Sequence, residues 1–277
     1  MTCKIIVDSC CDMTPQLKER LDVTSVPLTM RLGRNEFTDD ASLDLDCFMA
    51  EMKASTEKVS SASPPPLLYQ EAMESAGDSF VVTLSSRLSG SYASAVAGKT
   101  LAEETGKADT YIFDSKSASA GEVLIAVKIR DLLQKGMPKP HVIETINRFI
   151  EDMKTYFVLE RYDNLQKNGR LNRIAGKLIS VLNIKLMMGS DGNGNIALYA
   201  KLKGINQMVE KFLSLIENSG KKTDGENLVI SHCNNPGLAE RLKAAIEQRY
   251  HFKEIFIVPT GGISSLYADD GGIVLAF

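Results

Sequence analysis

Ser85-Ser86-Arg87-Leu88-Ser89-Gly90-Ser91-Tyr92 follows directly on the apolar run Phe80-Val81-Val82-Thr83-Leu84, and a helical pattern continues from there to Gly106. A strand that empties into hydroxyls, a glycine and a helix N-terminus gathers O–H donors and unpaired backbone N–H groups at one point. That arrangement suits a phosphate or a carboxylate. The layout recurs twice. Ile5-Ile6-Val7 ends in Asp8-Ser9 before a helix opened by Thr14-Pro15, and Tyr111-Ile112-Phe113 ends in Asp114-Ser115-Lys116-Ser117 before a helix near Ser119. Serine and aspartate at one such junction ordinarily cap the helix. Parallel strands share a carboxyl edge, however, and open α/β sheets bind ligands there, so three such ends point to one anion-binding rim.

Other chemistries find less support. Gly77-Asp78-Ser79 precedes a strand instead of following one, and no G-x-S-x-G elbow occurs. Of His141, His232 and His251, His232 alone follows a strand and could reach a site. A serine-dependent esterase or acyltransferase with Ser86 as nucleophile and His232 as base is therefore the alternative to a binding protein; a strand-end histidine is more often structural. The glycine-rich phosphate and dinucleotide motifs are missing. Asp191-Gly192-Asn193-Gly194-Asn195 has Ile196 where a calcium loop needs glycine and Leu202 where it needs an acid, so it reads as a turn. The five cysteines, Cys3, Cys10, Cys11, Cys47 and Cys233, lack metal-ligand spacing, and neither a metal nor a cofactor is expected.

The chain has 277 residues, 44% of them hydrophobic, enough for one large core or two modest ones. A net charge of −3, 6% aromatics and no tryptophan argue against nucleic acid as a partner. No stretch approaches the ~20 apolar residues that span a bilayer. The N-terminus runs into a strand without a signal-peptide core, so a soluble, cytoplasmic protein is expected. Between residues 161 and 203, eight Lys/Arg face two acids, Asp163 and Asp191. Such a run is usually a solvated face; its sharper meaning is a docking surface for an acidic partner or transient contact with anionic lipid.

Strand signals at 4–7, 24–30, 80–84 and 110–113 alternate with helical periods at 15–21, 45–54, 66–76, 91–105, 120–135 and 140–153, which predicts a parallel sheet flanked by helices. After residue 154 the spacing predicts a strand at 156–159, a helix at 174–182, a hairpin of 184–188 with 196–201, a helix at 207–218, a strand at 228–231, a helix at 236–248 and strands at 254–258 and 273–277. The fold class is α/β, with an N-terminal domain at 1–154 and a C-terminal α/β domain with a mixed sheet at 155–277. Val59-Ser60-Ser61-Ala62-Ser63-Pro64-Pro65 reads as a rigid extended loop holding its hydroxyls out for contact.

Taken in order, these segments resemble the DegV family of bacterial fatty-acid-binding proteins along essentially the whole chain. Ile6-Val7-Asp8-Ser9 with Asp12-Met13 is similar to the family's opening motif, and residues 85–92 to its S-S-x-L-S-G-T-Y signature. Asp114-Ser115-Lys116, Leu165-Gln166-Lys167-Asn168-Gly169-Arg170-Leu171 and Leu182-Asn183-Ile184-Lys185 correspond to further family stretches. The resemblance implies two domains with one long-chain fatty acid between them. Its carboxylate is held by hydroxyls of the serine loop and of a T-S-Q-P-S loop, and a separate ATP-using kinase subunit phosphorylates it. Carried over by motif, Ser86 and Ser60 are the foremost carboxylate ligands, with Ser61, Ser89 and Gly90 close by and Arg170 near the head group. Tyr267 stands where the family carries a histidine, and Asp269-Asp270 follow it, which implies weak support of acyl phosphorylation.

Overall fold

The structure, a computed structural model, describes residues 3–172, 174 and 184–277. The expected helix at 174–182 and the Leu182-Asn183 part of its motif lie almost wholly outside the described residues. In the first half the order is β1 (Lys4–Asp8), α1 (Pro15–Leu21), β2 (Val23–Val26), β3 (Thr29–Leu32), β4 (Asn35–Thr38), α2 (Leu45–Ala54) and β5 (Val59–Ala62). There follow α3 (Pro66–Ala76), β6 (Asp78–Thr83), α4 (Ser91–Glu104), β7 (Asp109–Asp114), α5 (Ala120–Gln134) and α6 (Lys139–Asp152). The second half runs β8 (Thr155–Val158), α7 (Asp163–Lys167), β9 (Lys185–Ser190), β10 (Ile196–Leu202), α8 (Gly204–Asn218) and β11 (Asn227–His232). It ends with α9 (Pro236–Glu247), β12 (Glu254–Pro259), α10 (Gly262–Ala268) and β13 (Ile273–Ala276).

Strands β2-β1-β6-β7 form an all-parallel sheet. Its side chains alternate between two cores, as the strand period of two requires. Ile6 and Val81 pack with Tyr69, Met73, Ala95 and Ala102 of α3 and α4, whereas Ile5, Val7, Phe80 and Val82 face α1, α5 and α6. Both faces are buried, which is why these strands read as nearly continuous apolar runs. The mixed sheet has the order β10-β9-β8-β13-β11-β12. One of its faces packs on α8 and α9, and the other brings Val229, Phe256, Val258 and Ala276 against α5. Helix α5 thus lies between the two sheets, and this explains a stretch from Ala120 to Val127 that is buried all round.

Two expectations need correction. The strand expected at 24–30 breaks at Pro27: β2 joins the parallel sheet, while β3 leaves it for a separate antiparallel sheet of order β4-β3-β5. Proline has no N–H to continue a ladder, so the chain changes partner there. The segment at 59–65 is not a free extended loop, because its first four residues are strand β5, paired with β3 from Val59↔Leu32 to Ala62↔Thr29. Serine and alanine are weak strand formers, and the ladder with β3 overrides that local preference. The hairpin of β9 and β10 forms around Asp191–Asn195 as its glycines predict, with Gly192 and Gly194 at φ of 85° and 86°.

Candidate functional site

The carboxyl edge of the parallel sheet faces the β9–β10 hairpin and α10 across a mostly apolar cavity, walled by Leu28, Leu84, Phe157, Leu159, Ile196 and Ile263 among others. The hairpin is held against the sheet's loops by two hydroxyls. Ser85 Oγ donates to the Gly194 carbonyl at 2.8 Å, and Ser190 Oγ to the Lys116 carbonyl at 3.0 Å. A Cβ on Gly194 would stand 2.3 Å from Ser85 Oγ, so this close approach requires glycine.

Polar groups converge at one corner of the cavity. Ser61 Oγ and the Tyr267 hydroxyl are 2.8 Å apart, and the Arg170 guanidinium lies 5.9 Å from the Tyr267 ring centre. Arg170 donates through Nε to the Leu88 carbonyl at 3.1 Å and through Nη1 to the Asn168 carbonyl. Among the described residues it forms no ion pair, so its positive charge is uncompensated. Ser89 Oγ accepts from the Ser91 N–H at 3.2 Å, which leaves its own O–H to donate elsewhere. Ser89 and Arg170 also line an adjoining polar groove with Ser86, Gly90, Asn168 and Asn172, so this corner is where the apolar cavity meets the polar surface.

The residues singled out from sequence fall on two sides of this boundary. Ser61, Ser89, Arg170 and Tyr267 line the cavity; Gly90 and Ser86 lie in the outer groove. Ser86 is exposed and donates to Asp114, which also accepts the Ser86 N–H at 3.1 Å. No hydrogen bond joins Ser86 to His232, whose Nδ1 instead accepts the Asn235 N–H at 3.3 Å. Ser60 sits on the other face of β5 from Ser61. Its cross-strand partner is the exposed Arg31, whereas Ser61 pairs with the fully buried Met30.

Two buried aspartates position the helix that carries Tyr267. Asp12, from the loop after β1, accepts the Gly261 N–H at 2.8 Å; Asp39, from the loop after β4, accepts those of Gly262 and Ile263, both at 2.9 Å. The free amides at the start of α10 are thereby satisfied from the opposite half of the chain. Burial pushes Asp12 up to about 7, against the opposing hydrogen bonds from Ser119 and Gly261, and raises Asp39 as well. Neither was identified from sequence as part of the site, since an aspartate in a loop gives no local sign of a helix cap more than 200 residues away. Asp269 and Asp270, placed beside the head group by sequence, have other partners: Arg161 lies 4.0 Å from Asp269, while Lys53 and Asn234 hold Asp270.

The family model described as "Uncharacterised protein, DegV family" matches residues 2–277. A DegV domain-containing protein of Streptococcus pneumoniae is 35% identical over 280 residues, covering 100% of this chain and 99% of the relative. A DegV family protein from Ruminococcus gnavus, solved with vaccenic acid, matches with a TM-score of 0.94 at 38% identity over 100% of both chains. The fatty acid kinase (Fak) B3 protein of Streptococcus pneumoniae, solved with linoleic acid, matches with a TM-score of 0.91 at 34% identity, covering 100% of this chain and 99% of that one. A DegV family protein from Eubacterium eligens, loaded with heptadecanoic acid, gives 0.91 at 26% identity over 99% and 98% of the two chains. The chain shares the fold of those proteins, with its parallel and mixed sheets, and the full-length match makes it a member of the DegV family.

Proposed function

We propose that the protein binds one long-chain fatty acid, with the acyl chain in the apolar cavity and the carboxylate at the corner formed by Ser61, Ser89, Arg170 and Tyr267. The observation that carries this reading is an apolar cavity ending on available hydroxyls and a guanidinium that forms no ion pair among the described residues. A buried carboxylate is very costly unless donors meet it, and this corner supplies them. One of the Ser61 and Tyr267 hydroxyls donates to the other, which leaves the second O–H to point at the ligand. Each methylene removed from water adds about 0.8 kcal/mol, so the chain supplies affinity while the corner supplies orientation. Relatives at 38% and 34% identity solved with vaccenic and linoleic acids support the same reading. Recombinant protein should retain about one fatty acid per chain, seen by native mass spectrometry and by weighing the acids released into solvent. Finding no lipid, and no uptake of added oleate or palmitate, would refute the proposal.

The finer reading is that the protein presents the carboxylate to a separate ATP-using kinase subunit. The open groove beside Ser89 and Arg170 leaves the head group approachable, and the pairing of Asp269 and Asp270 with Arg161 and Lys53 offsets part of the repulsion expected from sequence. Incubation with oleate, ATP and a bacterial fatty acid kinase subunit should yield acyl phosphate, trapped as the hydroxamate. Product no greater than with the kinase alone would set this reading aside.

A further inference from the structure

Helix α5 begins Ala120-Gly121-Glu122-Val123-Leu124, a glutamate within an otherwise apolar segment. Glu122 is fully buried, and among the described residues no N–H or O–H donor reaches either of its carboxyl oxygens. Its neighbour is Asp8 at the end of β1, equally buried but richly supplied. Asp8 Oδ1 accepts the Cys10 N–H at 3.1 Å, and Oδ2 accepts the Leu84 N–H at 2.9 Å and the Ser91 hydroxyl at 2.5 Å. Carboxyl oxygens of Asp8 and Glu122 and the Cys10 thiol all lie within 4.8 Å of one another.

Two carboxylates so close cannot both ionise in a dry site without a cation. Asp8 has three N–H and O–H donors to stabilise its charge and Glu122 only the weak S–H of Cys10, so the proton belongs on Glu122. We propose that Glu122 is a positioning residue: it stays protonated at neutral pH, donates its O–H to Asp8, and thereby fixes the carboxylate that clamps both ends of the loop at 84–91. That loop carries Ser89. The consequence for ligand binding rests on the fatty-acid reading above, whereas the placement of the proton does not.

The titratable groups facing the pair are Cys10, Cys11 and Asp12 from the loop after β1 and Tyr69 of α3, whose hydroxyl is 2.6 Å from Ser91 Oγ. Each of them is neutral when protonated, so none supplies positive charge; Lys18 of α1 is exposed and bears on Cys11. Burial first, and the Asp8 charge second, push Glu122 well above the usual carboxyl range. Stability from this pair is therefore present at low and neutral pH and lost as rising pH strips the shared proton, when repulsion frees Leu84 and Ser91.

The test uses the full chain with Glu122→Gln, which keeps a donor toward Asp8, and Glu122→Leu, which does not. Infrared spectra at pH 7 should show a protonated-carboxyl band that is smaller in Glu122→Gln than in the wild type, the remainder belonging to Asp12 and Asp39. In titrations with oleate, Glu122→Gln should match the wild type at pH 7 and hold its affinity at pH 9, where the wild type weakens about tenfold. Glu122→Leu should already be about tenfold weaker at pH 7. An unchanged carboxyl band in Glu122→Gln overturns the proposal, as does one equivalent of divalent metal in the purified wild type that the variant loses. Should the wild type bind no oleate at all, the infrared comparison still decides where the proton sits.

Discussion

Replacing Ser61 and Ser89 together by alanine is expected to weaken fatty-acid binding by two to three orders of magnitude while the protein stays folded. On the proposed reading each hydroxyl donates to a charged carboxylate, an interaction worth roughly 1.5–3 kcal/mol. Every 1.4 kcal/mol is about a factor of ten in the dissociation constant, so either single variant should lose about ten- to a hundredfold. The pair shares one ligand, so the double variant falls short of the product of the singles. Neither hydroxyl is part of a buried core, and thermal stability should hardly move. Ser60→Ala and Ser86→Ala are the matched comparison, because Ser60 lies on the opposite face of β5 and the Ser86 hydroxyl is engaged by Asp114. Affinity is read by titration with a fluorescent fatty acid. A larger loss from Ser60→Ala and Ser86→Ala than from Ser61→Ala and Ser89→Ala would move the head group out of the cavity corner into the outer groove.

The second large effect concerns stability against pH. Asp12 is 1% exposed, and burial raises its carboxyl to about 7, from about 3.9 in an unfolded chain. The folded state therefore holds a proton that the unfolded chain releases. This contribution to stability is fully present below about pH 4 and is lost as pH rises through about 7; a gap of three pH units corresponds to about 4 kcal/mol. Asp12→Asn keeps an oxygen to accept the Gly261 N–H and gives up the titration. Denaturant unfolding at pH 5, 6, 7 and 8 should show the wild type losing stability steadily and the variant losing much less. Asp39 and Glu122, raised by burial too, keep a residual slope of the same sign in the variant. Parallel curves for the two proteins would mean that Asp12 is already ionised in the folded state.

Sequence alone determined the features that depend on neighbours along the chain. The runs that became β1, β6 and β7 are apolar because both faces of a parallel sheet are covered, and the serine loop after β6 is legible because a strand end, a glycine and a helix start are adjacent in sequence. The Asp-Gly-Asn-Gly turn announced its hairpin for the same reason, since positive φ is a local demand. Tertiary structure alone decided which hydroxyls face the cavity. Ser60 and Ser61 are chemically alike, and a strand turns successive side chains to opposite faces, so the choice rests on the register of β5 against β3. Ser61 meets Tyr267 across 206 positions, and Asp39 meets the start of α10 across more than 220. Glu122 gives a faint sequence sign, a lone acid in an apolar helix, but its meaning depends on Asp8 of another element lying against it. Local pattern follows from backbone periodicity and propensity, whereas a binding corner is built from contacts between distant segments whose relative placement only the packed core fixes.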